Sequence, residues 1–269
     1  CHQQGDGEDM REGGARCHVP SLAVAVPGQH RHNRGMTTNP ANDPNALLPC
    51  VELRTEAEPE WTILWLHGLG ADGNDFVPIA QQLVRDGWPP LRFVFPHAPV
   101  RPVTFNGGVP MRAWYDIAAL DFAHRADADG VAVSVAQVER LIAREAERGV
   151  PPGRVILAGF SQGGAITLAA GLRRSEPLAG LIALSTYLPQ RNDAAAFITE
   201  AARQQPVFMG HGRLDPVVPH EAGEATAGVL RALGVEVEWH DYPMPHSVSP
   251  EEVRDLAAWL TSRFGHAAG

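Results

Sequence analysis

The sequence contains no lysine. All 22 basic residues are arginine, and the 31 acidic residues leave a formal net charge of −9. A protein that binds the phosphates of a nucleic acid needs a basic face, so this excess of acidic residues argues against nucleic acid as a partner. The sequence also lacks any run of about 18 apolar residues, which excludes a membrane-spanning helix.

Cysteine is scarce. The three cysteines, Cys1, Cys17 and Cys50, all lie within the first 50 positions. The rest of the chain therefore holds neither a disulfide framework nor a cysteine-ligated metal site. This usage is compatible with a reducing compartment, and we predict a cytoplasmic protein.

Aromatic residues are absent before Trp61. Residues 1–35 therefore bury too little apolar surface to offset the entropy cost of ordering, and we expect a disordered tail. An alternative is an over-extended gene start, with translation beginning at Met36. In either case residues 36–49 are expected to form a linker. A metal-binding tail is a further alternative, although its ligand spacing matches no compact zinc site. The ligands would be Cys1, His2, Cys17 and His18.

Short apolar runs alternate with helix-period segments from about residue 50 onward. Most of the runs are continuous, as expected of strands buried on both faces of a parallel sheet. The predicted strands are 51–54, 63–66, 91–95, 155–158, 178–184, 206–209 and 235–239. The predicted helices are 76–86, 131–148, 165–174, 193–203, 220–233 and 251–264. We therefore predict the α/β class, with a doubly wound, mostly parallel sheet, helices on both faces and one domain over residues 50–269.

One glycine-rich segment has the pattern of a nucleophile turn. Gly159-Phe160-Ser161-Gln162-Gly163 lies between the predicted strand 155–158 and the predicted helix 165–174. Such a turn requires small neighbours and projects the serine hydroxyl beside a helix N-terminus, where developing negative charge is stabilised. The alternative is a glycine-rich helix start with Ser161 as an N-cap. The strand–turn–helix context favours the nucleophile.

A serine hydroxyl needs a carboxylate and a histidine to activate it, and in this setting they follow in that order. Asp215 comes shortly after the predicted strand 206–209, on a loop where it can hold an imidazole N–H. Asp241 is a less well placed candidate. The structural alternative for Asp215 is an Asx-turn before Pro216.

His246 is the predicted base. It lies on the loop between the last predicted strand and the last predicted helix, where Pro243 and Pro245 stiffen the backbone. Three other histidines are weaker candidates, because they lie at a strand end, too close to the acid, or at a helix start. They are His240, His211 and His220, respectively.

Acyl transfer also needs amide donors for the oxyanion. We predict the backbone N–H groups of Gln162, after the nucleophile, and Leu69, on the loop after the first buried strand. That loop also has the G-x-G-x-x-G spacing, at Gly68, Gly70 and Gly73. A dinucleotide site would place an acidic residue about 20 residues further on, and none is present there; a P-loop is excluded because no lysine follows.

Four motifs in this order resemble the carboxylesterase/acyl-protein thioesterase family of α/β-hydrolases, also called the phospholipase/carboxylesterase family. The motifs are 66–73, 159–164, 215–219 and 246–248, with further agreement over 96–99, 102–104 and 111–117. The resemblance covers about residues 50–264. It implies the α/β-hydrolase fold, the triad Ser161, Asp215 and His246, the oxyanion amides of Leu69 and Gln162, and no metal or cofactor.

The resemblance also implies that residues 96–117 form a wall of the acyl site. From the residues alone, this stretch is equally a proline-rich surface segment with Met111 and Trp114 packed as core. Family members often have glycine before the catalytic histidine, whereas Pro245 stands there in this sequence. The residues 1–35 have no counterpart in the family. A homodimer is a candidate assembly through the family, without an interface signature in the sequence.

The segment 185–205 is too short for a cap domain, so we predict an exposed, shallow site. Such a site favours small esters or acyl groups on a larger carrier. Our first prediction is a serine carboxylesterase acting on short-chain esters through an acyl-enzyme. The alternative is an acyl-protein thioesterase or lysophospholipase acting on longer chains. A peptidase and a hydrolase-fold binding protein without activity are remoter alternatives.

Overall fold

The computed structural model describes residues 39–118 and 127–266, together with the backbone of residues 23–25. Its strands are β1 (Ala23–Ala25), β2 (Cys50–Arg54), β3 (Trp61–Leu66), β4 (Leu91–Pro96), β5 (Val100–Val103), β6 (Val109–Arg112), β7 (Val155–Phe160), β8 (Gly180–Leu184), β9 (Val207–Gly212) and β10 (Val237–Tyr242). Its α-helices are α1 (Val77–Leu83), α2 (Ala128–Glu147), α3 (Gln162–Gly171), α4 (Ala194–Phe197), α5 (Glu200–Arg203), α6 (His220–Ala232) and α7 (Pro250–His266).

The described strands form one large sheet and one hairpin. The sheet has the order β1-β2-β4-β3-β7-β8-β9-β10, and β5 pairs with β6 separately. Within the large sheet, β4, β3, β7, β8, β9 and β10 pair in parallel, whereas β1 and β2 run antiparallel to their neighbours. The β5–β6 hairpin is antiparallel. Every residue of β3, β4 and β8 is buried, as expected of central parallel strands covered on both faces. The prediction of a doubly wound, mostly parallel sheet is therefore confirmed.

Alternate residues of each strand supply two separate cores. In β3, Leu64 and Leu66 face one side of the sheet and Ile63 and Trp65 face the other. The first core is covered by α2, α3 and α6, and the second by α1 and α7. Both faces of the central strands are therefore closed to water, and the loops at the carboxyl ends of the parallel strands are left to form a site.

One predicted helix is wrong in its extent. The segment 193–203 forms two short helices, α4 and α5, because Ile198 is extended between them. Thr199 then caps the second helix, its hydroxyl accepting the N–H of Ala202. The segment between β8 and β9 contains no inserted cap domain.

The β5–β6 hairpin is not predicted from the sequence. Each of its strands contains a proline, at 102 and 110, and proline in an apolar run argues against a strand. These two prolines lie opposite each other in the ladder. Both prolines are exposed. An exposed position of a strand tolerates a residue without a backbone N–H.

The chain before β2 also differs from expectation where it is described. Ala23–Ala25 pair with β2 at the edge of the sheet, although this stretch was expected to be disordered. The expected linker packs on the domain from residue 39 onward: Gln137 donates to the carbonyls of Pro40 and Asp43, and Leu48 is buried. The other residues of 1–38, including the potential metal ligands, lie outside the described residues.

Candidate active site

Ser161 lies in a strained turn between β7 and α3. Its φ is 55° and its ψ is −119°, a conformation that non-glycine residues adopt only where the surroundings enforce it. The Ser161 N–H donates to the carbonyl of Leu184 and its carbonyl accepts the Thr186 hydroxyl. The turn is also close-packed: a Cβ at Gly163 would clash with the carbonyls of Leu66 and His67. The two ends of the turn therefore hold the Ser161 hydroxyl at the carboxyl edge of the sheet.

Ser161, His246 and Asp215 form one chain of hydrogen bonds. The Nε2 of His246 lies 2.9 Å from the Ser161 Oγ, and its Nδ1 lies 2.6 Å from the Asp215 Oδ2. The imidazole also packs on the ring of Phe160, with centroids 4.7 Å apart. The structure thus brings together the three side chains that the sequence singled out, from loops after β7, β9 and β10.

The Asp215 carboxylate is buried and fully engaged. Its Oδ1 accepts the N–H groups of Val217 and Val218, at 2.8 and 2.9 Å. Burial pushes the Asp215 pKa upward, but the hydrogen bonds from His246, Val217 and Val218 outweigh it and leave the pKa below its usual range. The loop is thus an Asx-type turn and a carboxylate site at the same time, because the two oxygens have different partners.

The other candidate residues are placed elsewhere. Asp241 forms an exposed ion pair with Arg213, and His240 contacts Glu238. His220 lies 3.6 Å from Asp241. His211 is buried, with its Nε2 2.9 Å from the Val218 carbonyl, so it supports the Asp215 loop. Among the described residues, His246 is the histidine that reaches Ser161 Oγ.

Leu69 and Gln162 line the same cavity as Ser161. Neither backbone N–H donates a hydrogen bond to another described residue. Gly68 brings the first loop close to the nucleophile, since a Cβ on it would stand 3.5 Å from the Ser161 Cβ. Both N–H groups are therefore free to serve a ligand bound at Ser161.

An apolar cavity of about 260 Å³ opens beside Ser161. Its rim is exposed at Phe105 and Val217, whereas Tyr115 and Tyr187 are buried. The two tyrosine hydroxyls lie 2.5 Å apart, and burial raises the pKa of both phenols. The lining residues are Leu69, Phe105, Asn106, Tyr115, Ile117, Ser161, Gln162, Tyr187, Pro216, Val217 and Val218.

The segment 96–117 forms one wall of this cavity, as the family resemblance implies, through four of the lining residues. Trp114 is at the same time fully buried, which is the role that the residues alone suggested. Sequence reasoning missed how this wall is held. The Gln162 side chain accepts the Trp114 N–H and donates to the Tyr115 carbonyl, and no local pattern signals such a contact.

Neither a metal site nor a membrane span emerges within the described ranges. No three His, Cys, Asp or Glu side chains of these residues come together as metal ligands. No helix among them is both long and apolar enough to cross a bilayer.

The sequence is similar to those of several known proteins. The family described as Phospholipase/Carboxylesterase matches residues 50–263. Acyl-protein thioesterase 1 of Mycosarcoma maydis is 43% identical over 225 residues, which cover 78% of this chain and 94% of the relative. Carboxylesterase SOBER1 of Arabidopsis thaliana is 36% identical over 205 residues, covering 75% of this chain and 90% of the relative.

Solved structures extend the likeness to the fold. The crystal structure of Arabidopsis thaliana SOBER1 has a TM-score of 0.70 at 34% identity and covers 76% of this chain and 98% of that one. The structure of Zea mays acyl-protein thioesterase 2 has a TM-score of 0.71 at 27% identity, covering 80% and 99%. The chain therefore belongs to the phospholipase/carboxylesterase family of α/β-hydrolases.

Proposed function

We propose that this hydrolase is a serine carboxylesterase that cleaves short-chain carboxylic esters through an acyl-enzyme. The observation that carries the proposal is the continuous hydrogen-bond chain from Asp215 through His246 to Ser161, which ends at the mouth of an apolar cavity. A serine at the end of such a chain is an activated nucleophile.

In the proposed mechanism, His246 Nε2 takes the proton of Ser161 Oγ as the oxygen attacks the ester carbonyl. The N–H groups of Leu69 and Gln162 stabilise the oxyanion. His246 then protonates the leaving alcohol, and water releases the acid from the acyl-enzyme by the same route. Asp215 holds the imidazole with its proton on Nδ1 and stabilises the imidazolium that forms, a role that its lowered pKa supports.

The size of the cavity supports a short acyl group. At about 30 Å³ for each water-sized group, 260 Å³ accommodates roughly eight such groups, including the reacting carbonyl. The buried Tyr115 and Tyr187 line part of this space, and the side of the cavity at Phe105 and Val217 is exposed, which leaves room for a leaving group. Small-molecule esters satisfy both features.

Acyl-protein thioesterase activity is the second candidate, because the relative from Mycosarcoma maydis bears that name. A thioester carbonyl would meet the same nucleophile and the same amides. Exposed apolar side chains at the rim, Phe105 and Val217, suit an acylated carrier. Cytoplasmic location, assembly as a homodimer and the absence of a nucleic-acid partner remain predictions.

The proposal is tested by hydrolysis of p-nitrophenyl esters from acetate to palmitate, with the full chain and its Ser161→Ala variant. We expect a rate that is highest for short chains and at least about 10⁴-fold lower in the variant. The exposed Ser175 provides the control, since Ser175→Ala should leave the rate unchanged. A maximum at long chains would favour the thioesterase, to be followed by acyl-thioester peptides. If there were no Ser161-dependent rate and no labelling by a fluorophosphonate, the protein would instead be a hydrolase-fold binding protein without activity.

A further inference from the structure

We infer that His67 is a positioning residue for the proposed reaction: its imidazole orients the peptide that carries the Leu69 N–H toward the oxyanion. His67 directly follows β3 and is almost completely buried. Its Nδ1 lies 2.7 Å from the Gly68 carbonyl oxygen, and its Nε2 lies 3.0 Å from the Ala98 backbone nitrogen. This inference rests on the proposed function, because it assigns to His67 a role in orienting one of the two oxyanion donors of that mechanism.

The two contacts of His67 determine where its proton lies. Ala98 can only donate through its backbone N–H, so Nε2 is the acceptor in that bond. Gly68 can only accept through its carbonyl, so Nδ1 carries the proton. Burial lowers the pKa of His67 to about 4, which keeps the ring neutral with a single proton at neutral pH. One neutral tautomer therefore satisfies both bonds.

Anchoring the Gly68 carbonyl also aims the Leu69 N–H. The two groups belong to the same planar trans peptide and point in opposite directions. The carbonyl points to His67 Nδ1, and it also accepts a longer bond of 3.3 Å from the Ala71 N–H. The Leu69 N–H is thereby directed to the other side of the peptide, and Leu69 lines the cavity with Ser161.

Trp114 contacts both the backbone and the ring of His67. The Trp114 indole N–H donates to the His67 carbonyl at 2.8 Å, and the two rings lie 5.4 Å apart. Gln162, the other predicted oxyanion residue, binds the backbone of Trp114 through its side chain. The two amide donors are thus linked through Trp114 and His67, so that their orientation is set before substrate binds, as electrostatic stabilisation of an oxyanion requires.

Two substitutions separate this role from packing. In His67→Asn, the amide nitrogen takes the place of Nδ1 and can still donate to the Gly68 carbonyl. In His67→Gln, the longer amide can reach the place of Nε2 and accept from Ala98, but the bond to Gly68 is lost. Each variant removes one buried hydrogen bond of the pair, so both are expected to lower Tm to a similar extent.

We expect kcat for p-nitrophenyl acetate to fall about 10²–10³-fold in His67→Gln, the loss typical of one oxyanion donor, with KM little changed. His67→Asn should stay within about 10-fold of the unsubstituted protein. The second readout is inhibition by an alkyl trifluoromethyl ketone, which forms an oxyanion on serine. Its affinity should fall in His67→Gln by a factor similar to kcat, whereas that of the corresponding non-electrophilic alcohol should not.

Equal activity of the two variants, or losses that follow Tm and leave the ketone-to-alcohol affinity ratio unchanged, would overturn the inference. Failure of the proposed function is a separate result, since it would show as absence of Ser161-dependent turnover in the unsubstituted protein. That result would overturn the mechanism and the role of His67 together.

Discussion

The carboxyl group of Glu252 occupies the space that a side chain at Gly210 would need. Glu252 belongs to the first turn of α7, where its N–H binds the Ser249 hydroxyl, and it is fully buried against β9. Neither carboxyl oxygen forms a hydrogen bond with any described residue. Burial, together with the charge of Asp255, raises the pKa of Glu252 to about 8 against a smaller opposing effect of Ser249.

This burial predicts a pH-dependent stability. The folded pKa lies above that of an unfolded glutamate, so the folded protein retains a proton that the unfolded chain releases. The free energy of unfolding should therefore fall as pH rises from about 4.5 to 8, by roughly 1 kcal/mol per pH unit from this group. Glu252→Gln should remove that slope, so that the variant gains stability relative to the unsubstituted protein as pH rises.

Urea unfolding at several pH values between 5 and 8.5 measures this difference. The adjacent Glu251 is exposed, so Glu251→Gln is the matched control and should follow the unsubstituted protein above pH 5. Parallel stability curves for Glu252→Gln and Glu251→Gln would show that Glu252 is ionised in the folded protein.

A second prediction concerns the glycines of the nucleophile turn. Gly163→Ala places a methyl group against the carbonyls of Leu66 and His67, so the turn must open. We expect a loss of about 1–3 kcal/mol in the free energy of unfolding and at least 100-fold lower esterase activity. Gly228→Ala on α6 is the control, because nothing lies within 4 Å of its added Cβ. It should raise stability by about 0.5–1 kcal/mol at unchanged activity. Thermal unfolding and ester hydrolysis test both.

A third prediction separates the two candidate acids. Asp215→Asn keeps the shape of the side chain but lets its amide face His246, which favours the wrong tautomer, and kcat should fall about 10⁴-fold. Asp241→Asn alters an exposed ion pair with Arg213, and it should change kcat less than twofold. Steady-state kinetics on one short ester compares the two. Similar losses in both variants, or none in Asp215→Asn, would contradict the assignment of Asp215 as the orienting carboxylate.

A fourth prediction concerns acyl-chain length. Tyr187 is buried beside the cavity, with its hydroxyl 2.5 Å from that of Tyr115. Tyr187→Ala should lengthen the cavity, raising the ratio of kcat/KM for dodecanoate, which exceeds the roughly eight groups that the cavity accommodates, over acetate by about 10-fold, the discrimination expected of one methylene or more. Tyr187→Phe keeps the ring and should keep the ratio. If the two variants gave the same ratio, the Tyr187 ring would not limit the acyl chain.

For His246, the sequence predicts the loop on which it lies but not its contacts. Its position after the last strand could be inferred from chain order and prolines, which are local signals. Its contacts span 31 positions to Asp215 and 85 to Ser161, and only folding produces them. The same holds for Glu252, which reads as an ordinary glutamate of a first helical turn until α7 packs on Gly210.

The sequence by itself determined the elements and their class, because hydrophobic periodicity, glycine at a sharp turn and strand-terminal polar residues act over a few residues. It therefore predicted the parallel sheet, the strand–turn–helix at Ser161 and the loops that could carry an acid and a base. The tertiary structure decided what depends on distant partners: the break at Ile198, the β5–β6 hairpin, the cavity and the tautomer of His67. Those features depend on packing and hydrogen bonds between segments that the fold brings together, and the periodicity of a single segment does not encode them.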